Sequence, residues 1–260
     1  MELNLRGRTA LITGASKGIG LASALALAEE GCDLILVSRT EADLQAARER
    51  IVGRANVAVQ VRALDLAQAA SVDQLAALHP DVEILVNNAG AIPAGNLAEI
   101  TEPVWRQAWD LKVFGYINMC RAFYAAMKQR RRGVIINVLG SAGERLDAGY
   151  IAGSTGNAGL MAFTKALGAT APDDNIRVVG INPGATATER LITMMRKRAQ
   201  DRYGDPEQWR KLVEPLPFGR VATPEEIASM VAFLASDRSA YTTGTIVTID
   251  GGVANKGAVF

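Results

Sequence analysis

A chain of 260 residues with 28 Lys and Arg against 27 Asp and Glu carries no net field to gather nucleic acid or an anionic membrane. Its apolar fraction of 49% is ample for a core, while no apolar run of about 18 residues and no basic-then-apolar leader appears, so a cytoplasmic location is expected. The single histidine, His79, sits beside Pro80 in an apparent loop, which argues against a histidine-dependent triad, and Cys32 and Cys120 read as buried reduced thiols with no metal site.

Residues 9–12 read as a strand, residues 13–20 as a glycine-rich loop, and residues 21–30 as a helix of strong formers. Strand, glycine loop and helix together present free N–H groups to an anion, although a tight turn with no ligand has the same form. Residues 33–38 are almost continuously apolar, as in a strand buried on both faces. A helix over 41–50, a strand over 56–64 and a helix over 71–78 with Ser71 as N-cap follow. The strand at 82–86 closes on Asn87-Asn88-Ala89-Gly90, and a long helical segment runs over 102–128 with Pro103 in its first turn. Next come a strand at 134–138, a helix at 153–169 and a strand at 177–181. Residues 188–218 read as irregular and partly helical, residues 224–235 as a helix and residues 245–250 as the last strand.

Strands alternating with helices at this spacing imply right-handed crossovers and a parallel sheet of about seven strands covered on both faces. No linker interrupts the series, so residues 1–260 are expected to form one α/β domain. Arg130, Arg131 and Arg132, just past a helix end, complement its dipole.

These motifs resemble those of the short-chain dehydrogenase/reductase family over nearly the whole chain. Thr13-Gly14-Ala15-Ser16-Lys17-Gly18-Ile19-Gly20 resembles its glycine loop, Asp65 its adenine-contacting acid, and Asn87-Asn88-Ala89-Gly90 its strand-four motif. Asn182-Pro183-Gly184 through Thr186 and Thr188 resembles the segment that holds the nicotinamide carboxamide. Gly219-Arg220, Pro224 to Ala228, Phe233 to Asp237 and Asp250-Gly251-Gly252 are similar to its C-terminal signature. The resemblance implies a doubly wound, Rossmann-like sheet and a dinucleotide held at the strands' C-terminal ends. Asp65 serves there as adenine acceptor, as an acidic N-cap, or as both. At the end of the second strand stand Ser38 and Arg39, with Lys17 nearby and no acid to grip a ribose hydroxyl. Two cations favour a 2′-phosphate, so NADP(H) is expected over NAD(H), although both cations also read as ordinary surface charge.

The resemblance also implies a catalytic asparagine, serine, tyrosine and lysine. Aligned by its neighbours, the chain has Lys112 at the asparagine position, Gly140 at the serine, Gly153 at the tyrosine and Asn157 at the lysine. All four are altered. Polar substitutes lie close by, and a rebuilt acid/base site is expected, with Tyr150 as proton donor, Lys112 as the cation lowering its pKa, and Ser141 or Asn157 as orienters. Each has a plain structural reading as well, as loop cover, solvated side chain, cap or packing amide. Gly153, Gly156 and Gly159 recur every three residues, a cost of roughly 1 kcal/mol each that close approach of another group usually offsets. Gly153 is expected to leave open space where the family's tyrosine ring sits, room for a bulkier substrate.

Residues 188–218 lie where the family carries its variable substrate lid. Its cations Arg190, Arg196, Lys197 and Arg198 face an anionic substrate, such as an acyl thioester, or form a solvated helix face. The expected protein is an oxidoreductase acting on a small-molecule carbonyl or alcohol, as a homodimer or homotetramer. Two readings stand beside it: a catalytically silent dinucleotide-binding sensor or partner subunit, and an enzyme of other chemistry that uses the dinucleotide structurally.

Overall fold

In the computed structural model, which describes residues 2–256, one parallel sheet contains β1 (Thr9–Thr13), β2 (Asp33–Ser38), β3 (Val59–Ala63), β4 (Ile84–Asn87), β5 (Gly133–Val138), β6 (Ile176–Pro183) and β7 (Ile246–Ile249). Their order is β3-β2-β1-β4-β5-β6-β7. β1 lies between β2 and β4, with Leu11 opposite both Ile35 and Leu85. The chain winds outward from β1 in one direction and restarts on its other side at β4, which opens a crevice past the C-terminal ends of these strands.

The helices are α1 (Gly18–Glu29), α2 (Glu41–Val52), α3 (Ala69–Leu78), α4 (Glu102–Trp109), α5 (Gly115–Arg130), α6 (Ile151–Thr170), α7 (Glu189–Tyr203), α8 (Arg210–Val213) and α9 (Pro224–Ala235). Alternation along each strand builds a core on both faces of the sheet. Val134, Ile136 and Val138 of β5 enter the layer under α1, α2 and α9, while Ile135 enters the layer under α3 and α5. The motif Thr223-Pro224-Glu225-Glu226 starts α9 with a capping box, Thr223 accepting from Glu226 N and Glu226 from Thr223 N. Among the described residues no helix is long and apolar enough to cross a membrane. Both cysteines are buried and free.

Several local expectations change. Helix α3 begins at Ala69 with Gln68 as N-cap, so Ser71 lies inside it and donates its N–H to Gln68 O. The segment from Glu102 to Arg130 is continuous, but α4 passes into α5 through a π-turn at Asp110–Phe114, a feature frequent at functional sites. Within residues 188–218, expected to be irregular and partly helical, Glu189–Tyr203 form the regular helix α7, capped by the Thr188 hydroxyl on Leu191 N and closed by Gly204 at φ 72°. Beyond α5, Arg131 takes φ 51° to end the helix, Arg130 donates to Val82 O and Arg132 pairs with Glu83. The three arginines thus strap the helix end to its neighbours.

Candidate active site

The turn after β1 shows why glycine recurs there. Gly14 has φ 64° and Gly18 φ 57°, the left-handed region that side chains avoid. A β-carbon on Gly20 would stand 2.2 Å from Gly14 O and 2.5 Å from Asn88 Nδ2. Asn88 donates to Thr13 O (3.0 Å) and Gly14 O (3.2 Å), while Asn88 N and Ala89 N both donate to the Thr13 hydroxyl. The β1 and β4 ends are thereby laced together, and the start of α1, with Gly18, Ile19 and Gly20, opens onto the crevice. Asn88 therefore shapes the loop through backbone contacts. Behind it, Asn87 donates to Asn137 Oδ1 and Asn137 to Thr164, a buried relay across β4, β5 and α6.

Further cofactor candidates gather round this loop. A β-carbon on Gly18 would lie 3.1 Å from Thr188 Cγ2, so the glycine loop touches the segment after β6. There Pro183 ends its strand, and the Thr186 hydroxyl donates to Gly184 O. The Ser16 and Ser38 hydroxyls lie 3.3 Å apart. Lys17 and Arg39 are exposed, and neither makes an ion pair among the described residues. Asp65 is exposed and accepts from Ala67 N at 3.1 Å, which makes it a turn-former three residues ahead of Gln68, the residue that caps α3. Gly90 keeps a side chain away from Lys112, whose Cδ lies 2.4 Å from where its β-carbon would be.

The substituted catalytic positions do meet. Gly140, after β5, faces Asn157 of α6, with Asn157 Nδ2 3.1 Å from the place of a β-carbon at residue 140. Asn157 is buried, and its Oδ1 has no hydrogen-bond partner. Ser141 opens a short 3-10 turn, half-buried, with its carbonyl accepting from Glu144 N and Arg145 N. Tyr150 is the N-cap residue of α6 and pairs with Gly95 in the loop after β4. Its ring lies against Gly153: Cε1 and Cζ each fall 2.1 Å from where a β-carbon would stand. The expected open space at Gly153 is therefore filled by Tyr150. Tyr150 packs with Trp105 and Trp109 against a small buried cluster of Ile92, Ala108 and Ala152. Gly156 likewise makes room for Trp109 Nε1 and Val113, whereas Gly159 has nothing within 4 Å.

Lys112 departs from its expected part. It is 7% exposed, and its ammonium donates to the Tyr116 hydroxyl (2.7 Å), Val138 O (2.7 Å) and Leu139 O (3.4 Å), lying 4.3 Å from the Tyr116 ring centre. Tyr116 in turn donates to Val138 O at 2.8 Å. One ammonium proton goes to Tyr116 and two to the carbonyls at the end of β5, and Lys112 is not among the charges that act on Tyr150. Burial brings the Lys112 amine down to about 7. Tyr150 is corrected too: burial raises its phenol above 10.0 instead of lowering it, and the charge that opposes this rise is Arg190. That arginine, on α7, donates from Nη2 to Ile92 O at 2.7 Å.

Sequence reasoning named Arg190 among four cations without separating it from the rest. Arg196 pairs with Glu207, leaving Arg190 as the one fixed against the loop after β4. Tyr116 was missed, although its spacing of four from Lys112 places both on one helix face. Among the described residues no cluster of ligand-type side chains fits a metal ion.

Comparison with known proteins places this arrangement. A family model described as enoyl-(acyl carrier protein) reductase matches residues 14–254. The chain is 34% identical over 254 residues to 2-keto-3-deoxy-L-fuconate dehydrogenase of Xanthomonas campestris pv. campestris, covering 96% of this chain and 81% of that one. It is 32% identical to the 3-oxoacyl-(acyl-carrier-protein) reductase FabG of Chlamydia muridarum, covering 98% and 100%. L-sorbose reductase from Gluconobacter frateurii, solved with NADPH and L-sorbose, superposes with a TM-score of 0.91 at 32% identity, covering 98% and 100%.

Proposed function

Because the chain belongs to the short-chain dehydrogenase/reductase family, whose members interconvert carbonyls and alcohols, we propose that it is an NADP(H)-dependent oxidoreductase whose proton donor is Tyr150. The observation that carries this reading is the Tyr150 ring standing over Gly153 at the family's tyrosine position.

The residues fit a dinucleotide. Gly14, Gly18 and Gly20 let the loop turn at φ values and separations that side chains would not allow, the loop form that suits a pyrophosphate, and Asn157 presents a buried, unpartnered acceptor beside Gly140. Ser16, Lys17, Gly18, Ile19 and Gly20 would hold the phosphates, Arg39 and Lys17 the 2′-phosphate, and Asp65 the adenine amine. Asn88 and Gly90 would border the ribose, and Pro183, Thr186 and Thr188 the carboxamide. Bound there, NADPH supplies a hydride. The protein supplies the rest. A phenol raised by burial keeps its proton at neutral pH, the form an acid needs for carbonyl reduction. The apolar wall of Ile92, Trp105 and Trp109 limits water around it. Ser141 and Asn157 orient substrate or cofactor, and Lys112 holds the β5 end that carries Gly140.

The lid helix α7 covers a small carbonyl substrate; the relatives' names point to keto-sugar acids, ketoses and 3-oxoacyl thioesters as the classes to try. Assembly as a homodimer or homotetramer is proposed through α5 and α6, where Gly159 presents a bare helix face. Nicotinamide fluorescence titrated with NADPH and NADH, followed by a panel of these carbonyls, tests the function. Saturable binding with NADPH tighter and turnover of at least one class are expected. No saturable signal with either dinucleotide overturns the cofactor reading, and binding with no turnover favours a silent sensor or partner subunit.

A further inference from the structure

Tyr150 is half-buried against an apolar cluster, and its ionised form needs a neighbouring cation that the buried Lys112, tied to Tyr116 and β5, does not provide. The charged groups on the surrounding elements are mostly committed elsewhere. Asp147, before α6, accepts from Gly149 N; Glu99, after β4, accepts from Asn96 N; and on α4 Arg106 pairs with Glu102. Glu189, at the start of α7, is exposed. Arg190 beside it is exposed too, but its guanidinium has a partner on the loop after β4. It has no carboxylate partner among the described residues, and its guanidinium is pinned to the carbonyl of Ile92, a residue of the same cluster that packs Tyr150. It stands on the first turn of α7, where a cation works against the helix dipole, so its place is not explained by helix stability.

We propose that Arg190 is the positioning residue for Tyr150, the cation that takes the part Lys112 does not. The inference rests on Tyr150 being the acid proposed above. As the reduced carbonyl's alkoxide takes the phenolic proton, the Tyr150 O–H bond breaks, a substrate O–H bond forms, and the tyrosinate left behind faces a fixed guanidinium until solvent returns a proton. The Ile92 hydrogen bond fixes that guanidinium to a residue of the cluster against which Tyr150 packs.

Tyrosinate absorbance titrations of the whole protein, without substrate, test this, with the Tyr150 signal taken as the difference from Tyr150→Phe. Arg190→Gln keeps a donor for Ile92 O and loses the charge; Arg190→Lys keeps the charge. The Tyr150 midpoint is expected to rise by about one pH unit or more in Arg190→Gln and to stay near wild type in Arg190→Lys. The alkaline limb of kcat is expected to move with it. An unmoved midpoint in Arg190→Gln, in protein that still binds NADPH, overturns the inference. A moved midpoint in a protein that reduces no carbonyl supports the pairing and overturns the catalytic reading of Tyr150 instead.

Discussion

Tyr150 and Gly153 share one volume: the phenol's Cζ lies 2.1 Å from the point where a β-carbon on residue 153 would stand. A side chain at residue 153 would displace the Tyr150 ring, so the ring's place depends on that glycine.

Replacing Gly153 with Ala forces the ring out, since tyrosine can swing from its pocket more cheaply than helix backbone can move. Alanine also gains about 1 kcal/mol of helix propensity over glycine. Denaturant unfolding of Gly153→Ala is expected within about 1–2 kcal/mol of wild type. Turnover should fall by roughly tenfold or more, the loss expected when an acid leaves its place. Unchanged activity would separate Tyr150 from the chemistry.

Arg39 is exposed and without an ion pair among the described residues, so its charge is available to a phosphate. A charge-assisted hydrogen bond contributes about 1.5–3 kcal/mol. Arg39→Asp should therefore weaken NADPH by roughly 10- to 150-fold in a fluorescence titration and leave NADH binding equal or tighter. Equal loss for both dinucleotides would assign Arg39 to adenine stacking alone.

Lys112 leaves a trace in stability. Its amine titrates near 7 when folded and near 10.5 otherwise, so between these values the unfolded chain holds a proton that the native state lacks. Stability then rises with pH across that window and the cost of the buried charge is constant below it. The wild-type advantage over Lys112→Met should grow between pH 7 and 10 by an amount on the order of 3–4 kcal/mol in denaturant melts. A flat difference would mean that Lys112 keeps its proton in the fold.

Asn157 carries an unpartnered buried acceptor, a burden of about 1–3 kcal/mol. Asn157→Leu is expected to melt higher by up to that amount while binding NADPH more weakly. Equal NADPH affinity in the two proteins would leave the amide as mere packing.

The sheet was legible because strands such as Leu34–Val37 and Ile84–Val86 are buried on both faces and so read as unbroken apolar runs. Asn88, Gly14 and Gly20 were legible for a similar reason, since their contacts are backbone geometry that one residue type satisfies. The extent of helix α7 was less so, because its boundaries rest on the Thr188 cap and the left-handed Gly204. The partner of Lys112 was obscured by alignment. Reading it as an exchanged family residue drew it toward Tyr150, while burial and the π-turn turn it to Tyr116 and the β5 carbonyls. Arg190 depends on a contact 98 residues away in sequence, which no local pattern encodes.

The central claim is that Tyr150 donates the proton in an NADPH-dependent carbonyl reduction. Single-turnover NADPH oxidation by wild type and Tyr150→Phe, on the carbonyl that wild type reduces best, tests it most directly. The account predicts equal NADPH affinity and a rate roughly 100- to 10,000-fold lower in the variant. A variant that reduces the carbonyl at the wild-type rate contradicts it.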